Sequence, residues 1–142
     1  MKIFLDSDVI LDYLTGREPF LNEIKIIIDK GIKNEFQLFT SSLIIANIHY
    51  FISKTENSKK AILKITKLVS FIRILNVGEN EILHSLKSKF KDFEDCIQNT
   101  CASNSKMNLI ITRNIKDFKL SELPILTPKE FIIKMQNEKY NS

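Results

Sequence analysis

Three groups of acidic residues stand where apolar patterns begin or end. Asp6 follows Ile3-Phe4-Leu5, the group Asp92-Phe-Glu94-Asp95 precedes an apolar helical pattern, and Asp117 lies just beyond Leu109-Ile-Ile-Thr112, in Arg113-Asn-Ile-Lys-Asp-Phe118. A carboxylate that ends a buried strand loses hydration and needs a cation, donors or a proton in compensation, which singles out Asp6. Two carboxylates about 4 Å apart repel by roughly 4 kcal/mol at an effective dielectric near ~20, so convergence of the three groups would call for a positive partner. A hard divalent ion suits them. Mg²⁺ or Mn²⁺ prefers oxygen ligands, keeps several waters, activates one of them and stabilises charge developing on a phosphoryl group.

Simpler roles compete for the same residues. Ser7 or Asp8 can cap a helix through a side-chain oxygen, and Asp12, on the same helical face as Asp8, reads as a solvated residue. Acids in a first helical turn complement the macrodipole, and Asp92 with Asp95 at i, i+3 has the spacing of a cap. For the middle group alone that reading would suffice. It is the three positions together that argue for a site.

The surrounding pattern supplies strands and helices in alternation. Ile3, Phe4 and Leu5 form a continuous apolar run, as in a central parallel strand covered on both faces. Val9, Ile10, Tyr13 and Leu14 have helical spacing, and a second helix carrying Phe20, Ile24, Ile27 and Ile28 is expected to stop at Gly31. A short strand over 36–39 leads to a helix capped by Ser41 or Ser42 and running to about residue 54. Ser58 is expected to cap the next, with Ile62, Ile65, Leu68 and Val69 as its apolar stripe. Residues 71–77 read as a strand ended by Gly78, and Ile82, Leu83 and Leu86 as a helix before the acidic group opens another. Strands at 109–112 and near Ile125 follow, then a capping box of Thr127, Pro128 and Glu130 ahead of Phe131, Ile132 and Met135. Alternation of this kind predicts a parallel sheet, whose ligand crevice lies at the carboxyl ends of the strands, where Asp6 sits. No linker or repeat interrupts it, so one domain over 1–142 is expected.

Composition sets outer limits. Hydrophobic residues at 44% and charged residues at 27% fit a globular chain, and a net charge of +4 admits an anionic partner such as RNA. Lys54, Lys59, Lys60, Lys64 and Lys67 also read as a plain solvated helix face. Cys96 and Cys101 fall in one predicted helix, roughly 140° apart, and are expected as unpaired thiols in a reduced, cytoplasmic setting. The longest apolar stretch, 43–52, is interrupted by Asn47 and His49 and is too short to span a bilayer, so no membrane association is expected. His49 and His84 lie within predicted helices and read as surface or structural residues. Three glycines leave no phosphate-cradling loop, and there is no serine-nucleophile motif.

Phe-Leu-Asp6-Ser7-Asp8-Val-Ile-Leu-Asp12, the helix-opening Asp92-Phe-Glu94-Asp95, and Ile-Ile-Thr112-Arg-Asn114-Ile-Lys-Asp117-Phe, in this order and spacing, resemble the PIN domain, especially its VapC-type toxins. The resemblance covers nearly the whole chain. It implies a three-layer α/β/α sandwich around a parallel sheet of about five strands, Mg²⁺- or Mn²⁺-dependent endoribonuclease activity, a homodimer and, for toxin members, a cognate antitoxin. Its metal-binding acids fall on Asp6, Asp95 and Asp117, with Ser7, Asp8, Glu94, Thr112 and Asn114 in support. Many relatives carry Asp where this chain has Asn114. At Asn47, in Ser41-Ser-Leu-Ile-Ile-Ala-Asn47, the family usually has Glu, and an amide binds Mg²⁺ more weakly than a carboxylate. Leu43, Asn47 and Tyr50 share one helical face, and with the acid that the resemblance implies at 47 this would turn Asn47 towards the site; the other reading is an amide bonded to backbone or a neighbouring side chain.

Two other readings fit parts of the pattern. Asp6-Ser-Asp8 resembles the start of haloacid-dehalogenase-type phosphatases, with Asp6 as covalent nucleophile and Asp8 as acid/base, but Ile10 stands where Thr or Val is expected and the late Gly-Asp pair is lacking. A degenerate PIN-like module that binds protein or RNA without catalysis would account for Asn47.

Overall fold

The computed structural model describes residues 1–141, so Ser142, the end of the expected domain, lies outside them. Five strands, β1 (Lys2–Leu5), β2 (Gln37–Ser41), β3 (Arg73–Leu75), β4 (Leu109–Ile111) and β5 (Ile125–Leu126), form one sheet in the order β3-β2-β1-β4-β5. Every neighbouring pair is parallel, and Phe4 faces both Phe39 and Ile110 in register. Seven helices connect and flank the strands among the described residues: α1 (Ser7–Thr15), α2 (Leu21–Ile32), α3 (Ser42–Thr55), α4 (Ser58–Leu68), α5 (Glu79–Leu86), α6 (Phe93–Asn104) and α7 (Pro128–Asn141). This is the expected three-layer α/β/α sandwich. Consecutive strand residues point to opposite faces, yet Ile3, Phe4 and Leu5 are all fully buried, so helices cover both sides of β1.

The strand order reverses at β1. The chain leaves β1 towards β2 and β3 and later returns to add β4 and β5 on the other side, which opens a crevice between the carboxyl ends of β1 and β4. Asp6 leaves β1 at that point, and Thr112 leaves β4.

Several local expectations are corrected. The cap of α1 is Asp6 itself, whose side chain accepts from the Ser7 amide, and neither Ser7 nor Asp8 holds that position. Asn57, extended and accepting from the Lys60 amide, caps α4 in place of Ser58. Gly31 does not end α2; it lies inside the helix, where a Cβ would sit 2.5 Å from Leu38 Cδ1, so its role is close approach to β2. The stripe expected on α4 is only half realised, because Ala61 and Leu68 are buried while Ile62 and Val69 stay exposed. Strand β3 keeps three residues of the expected seven. Phe71 and Ile72 donate their amides to Leu68 in wrapping off α4, and the Val77 amide donates to Ser42 Oγ, so these donors are satisfied away from the sheet. Cys96 and Cys101 are buried free thiols, and burial pushes the Cys101 thiol up to about 11.

Candidate active site

The site is built from strand ends. Asp6 is 5% exposed and accepts hydrogen bonds from the Ser7 amide at Oδ1 (2.9 Å) and from Thr112 Oγ1 at Oδ2 (2.9 Å). Thr112 is fully buried and in turn accepts from the Asn114 amide at 3.1 Å. One hydroxyl thus joins the ends of β1 and β4 across the crevice. Asp8, on the first turn of α1, accepts at Oδ2 from the Arg113 amide (2.9 Å) and Asn114 Nδ2 (3.2 Å), and at Oδ1 from the Val9 amide (2.7 Å). These donors make Asp8 a link that holds the turn after β4 against α1.

Asp95 comes from the first turn of α6. Asp92 caps that helix and accepts from the Asp95 amide at 2.9 Å, so the capping expected of this pair is real and coexists with the site. One turn on, the buried Gln98 accepts at Oε1 from Ser41 Oγ at the end of β2, which fixes the azimuth of α6 over the sheet. Asp117 lies in the 3₁₀ turn Ile115–Phe118 that follows β4.

The electrostatics show that these acids share a field. Burial, the Asp8 charge and the Asp117 charge push the Asp6 carboxyl up to about 7, against hydrogen bonds from Ser7 and Thr112 that favour the anion. Asp95 is also pushed up to about 7, by burial first and then by Asp6, Asp92, Asp117 and Asp8. Asp8 is raised as well, chiefly by burial, while its Arg113 and Val9 amide donors oppose the shift. The charges of Asp6, Asp8 and Asp117 thus reach Asp95, and those of Asp8 and Asp117 reach Asp6. Among the described residues, no three His, Cys, Asp or Glu side chains stand grouped so as to hold a metal ion.

The remaining predicted residues sit around this group. Asn47 is half-buried on α3 and its Nδ2 donates to Glu94 Oε2 at 3.5 Å, so it reaches the start of α6 and bonds an acid there. Glu94 is exposed, and His49 and His84 keep to helices α3 and α5.

Arg113 and Asp12 form a partly buried pair beside the acids. Asp12 is 1% exposed, contrary to its reading as a solvated residue, and accepts from Arg113 Nε (2.7 Å) and Nη2 (3.2 Å), with Arg17 Nη1 at 3.7 Å. The Arg113 guanidinium also lies 3.9 Å from the centre of the Phe20 ring. The signal was present in the shared face of Asp8 and Asp12, because Arg113 engages Asp8 through its amide and Asp12 through its side chain. Gln98 carried no comparable signal, since its partner Ser41 is 57 residues away.

Comparison with known proteins places the chain among relatives. The chain is 31% identical over 139 residues to Ribonuclease VapC1 of Aquifex aeolicus (strain VF5), with 92% of each chain covered. Its fold matches DNA-bound VapBC from Salmonella typhimurium (TM-score 0.70, 13% identity, 90% of this chain and 98% of that one). It also matches a toxin-antitoxin complex from Klebsiella pneumoniae (TM-score 0.66, 22% identity, 89% and 97%). Residues 2–116, which contain β1 to β4, the crevice and the acids Asp6, Asp8 and Asp95, match the PIN domain, and the chain belongs to that family.

Proposed function

We propose that the protein is a Mg²⁺- or Mn²⁺-dependent endoribonuclease that hydrolyses RNA phosphodiester bonds as the toxin of a toxin–antitoxin pair. The observation that carries this reading is that the charges of Asp6 and Asp117 bear on Asp95, and that of Asp117 on Asp6, although the three come from separate elements. Arg113, whose amide holds Asp8, has its guanidinium committed to Asp12. The donor set is all oxygen, which suits a hard divalent ion, and such an ion keeps several waters, so it needs few direct protein contacts. Asp6, Asp95 and Asp117 would hold it. When bound, the ion supplies the charge that activates a water and offsets negative charge developing on the phosphoryl oxygens. The chain's own residues orient the acids: Thr112 and the Ser7 amide fix Asp6, the Arg113 amide and Asn114 hold Asp8, and the Ser41–Gln98 bond sets the position of Asp95.

Family membership and the ribonuclease relative support RNA as the substrate. The assemblies of the structural relatives support a cognate antitoxin protein as partner, and a homodimer follows from the resemblance. No helix among the described residues is long and apolar enough to cross a membrane. The phosphatase alternative is disfavoured because Asp8 is bound at both oxygens and is poorly placed to move a proton to a leaving group. The non-catalytic alternative rests on Asn47, which brings an amide to the acidic rim.

Cleavage of RNA should require Mg²⁺ or Mn²⁺ and stop in EDTA, and Asp6→Asn should lower the rate by at least about a hundredfold, the scale of losing a group that organises transition-state charge. Cleavage by Asp6→Asn at the parent rate would refute the site. RNA binding with no cleavage in any divalent metal would favour the non-catalytic module.

A further inference from the structure

A groove beside the acids has a chemistry that the acids do not explain. Residues 89–92 on one side and the 3₁₀ turn with its continuation to Ser121 on the other enclose about 930 Å³, within the range of ligand-holding clefts. Asp92 and Asp117 both line it, and Asp117 also acts on Asp6 and Asp95, so the groove opens directly onto the candidate active site. Lys89, Lys91, Lys116 and Lys119 stand along the groove, all exposed. None of the four forms an ion pair among the described residues, although two carboxylates share the groove with them. Lys116 and Lys119 are three apart on a 3₁₀ turn, which puts them on one edge. Between the lysines the wall is apolar, from Ile115, Ile125 and the buried Phe118.

Ammonium groups along an edge, with an apolar wall between them, match a chain that carries phosphates outside and unpaired bases inside. A duplex would hide its base faces from that wall. We propose that this groove binds the single-stranded RNA segment adjoining the scissile bond, with Lys116 and Lys119 on its phosphates and a base against Ile115 and Ile125. This inference rests on the ribonuclease reading and adds to it the path that the substrate takes beside the acids.

The test uses Asp6→Asn protein and a fluorescein-labelled single-stranded RNA, with anisotropy titrations over a range of KCl. Lys116→Gln/Lys119→Gln in that background should weaken binding about tenfold and reduce the salt slope by about 1.4, two single-strand phosphate contacts at ~0.7 each, while Lys59→Gln/Lys60→Gln on α4 should leave both unchanged. In otherwise unaltered protein, the groove pair should raise KM for RNA and leave kcat in place. Equal effects of the two lysine pairs would overturn the groove. Displacement of RNA by poly-glutamate at equal charge concentration and with equal potency would also overturn it, in favour of an acidic polypeptide. Parent protein that cleaves RNA while the groove pair binds like the control refutes the groove alone. Parent protein that neither binds nor cleaves RNA refutes the ribonuclease reading and the groove with it.

Discussion

Asp12 and Asp6 are both buried carboxylates, and the molecule compensates them in opposite ways. Asp12 receives a two-pronged guanidinium from Arg113, whereas Asp6 receives neutral donors and faces further acids. Removing one partner of a buried pair leaves an uncompensated charge, so Arg113→Ala should destabilise the fold by about 3 kcal/mol. Arg113→Lys should recover only part of this, since an ammonium cannot reproduce the fork. Urea unfolding would measure both, and a change within about 0.5 kcal/mol, ordinary for surface substitutions, would show that Arg17 suffices for Asp12. For Asp6 and Asp95 the consequence is a pH dependence. Their folded carboxyls titrate near 7 against 3.8 for the ordinary group, so between these values the folded state holds more protons than the unfolded one. Stability must then fall as pH rises through that window. Metal-free protein in EDTA should melt at a lower temperature at about pH 8 than at about pH 5, and Asp6→Asn should remove much of the difference. Parent and variant melting with the same pH profile would contradict the coupling.

At the scale of elements, the site depends on three polar strand ends, Asp6, Ser41 and Thr112, each fastened to a neighbouring element. The sheet reaches this register because α2 lies close against β2, and Gly31 permits the approach. Alanine is ordinarily the better helix residue by about 1 kcal/mol, but here its Cβ would meet the buried Leu38 side chain at 2.5 Å. Gly31→Ala should therefore lower stability by about 1–3 kcal/mol, the usual range for overpacking, and Leu38→Val in the same chain should return part of the loss. Thermal or chemical unfolding checks this, and a stabilised Gly31→Ala protein would mean that Leu38 repacks freely. The pattern of the sequence already contained β1, α3, α6 and the start of α7, because apolar spacing and caps there agree. It misled at α2 and α4, where a glycine and a serine with the usual punctuating chemistry were displaced by packing against β2 and by Asn57.

For the whole molecule, the reversal of strand order at β1 concentrates negative charge at one edge of a protein whose net charge is +4. Divalent ions should bind there and stabilise the folded state by linkage, about 2.7 kcal/mol at a hundred times Kd. Millimolar Mn²⁺ should accordingly raise the melting temperature of the parent protein and leave Asp6→Asn/Asp95→Asn unmoved. An equal rise in both proteins would place the ion elsewhere. Positive charge is distributed differently, with four lysines that form no ion pair among the described residues standing beside the acids on the side of the 3₁₀ turn.

By itself the sequence determined the parallel α/β class, the position of Asp6 at the end of a buried strand and the capping of α6 by Asp92, since each follows from local periodicity and backbone hydrogen-bonding needs. The convergence of Asp6, Asp95 and Asp117 was expected from acids standing at predicted strand and helix ends, and the resemblance added their joint role. Tertiary structure alone decided that Thr112 bridges the two strand ends, that Gln98 anchors α6 to Ser41, and that Arg113 neutralises Asp12. Those contacts join residues 57 to 106 positions apart, and no local spacing encodes them. They exist because the chain returns to pair β4 with β1, and a buried carboxylate must then find its donors among whatever that return brings beside it.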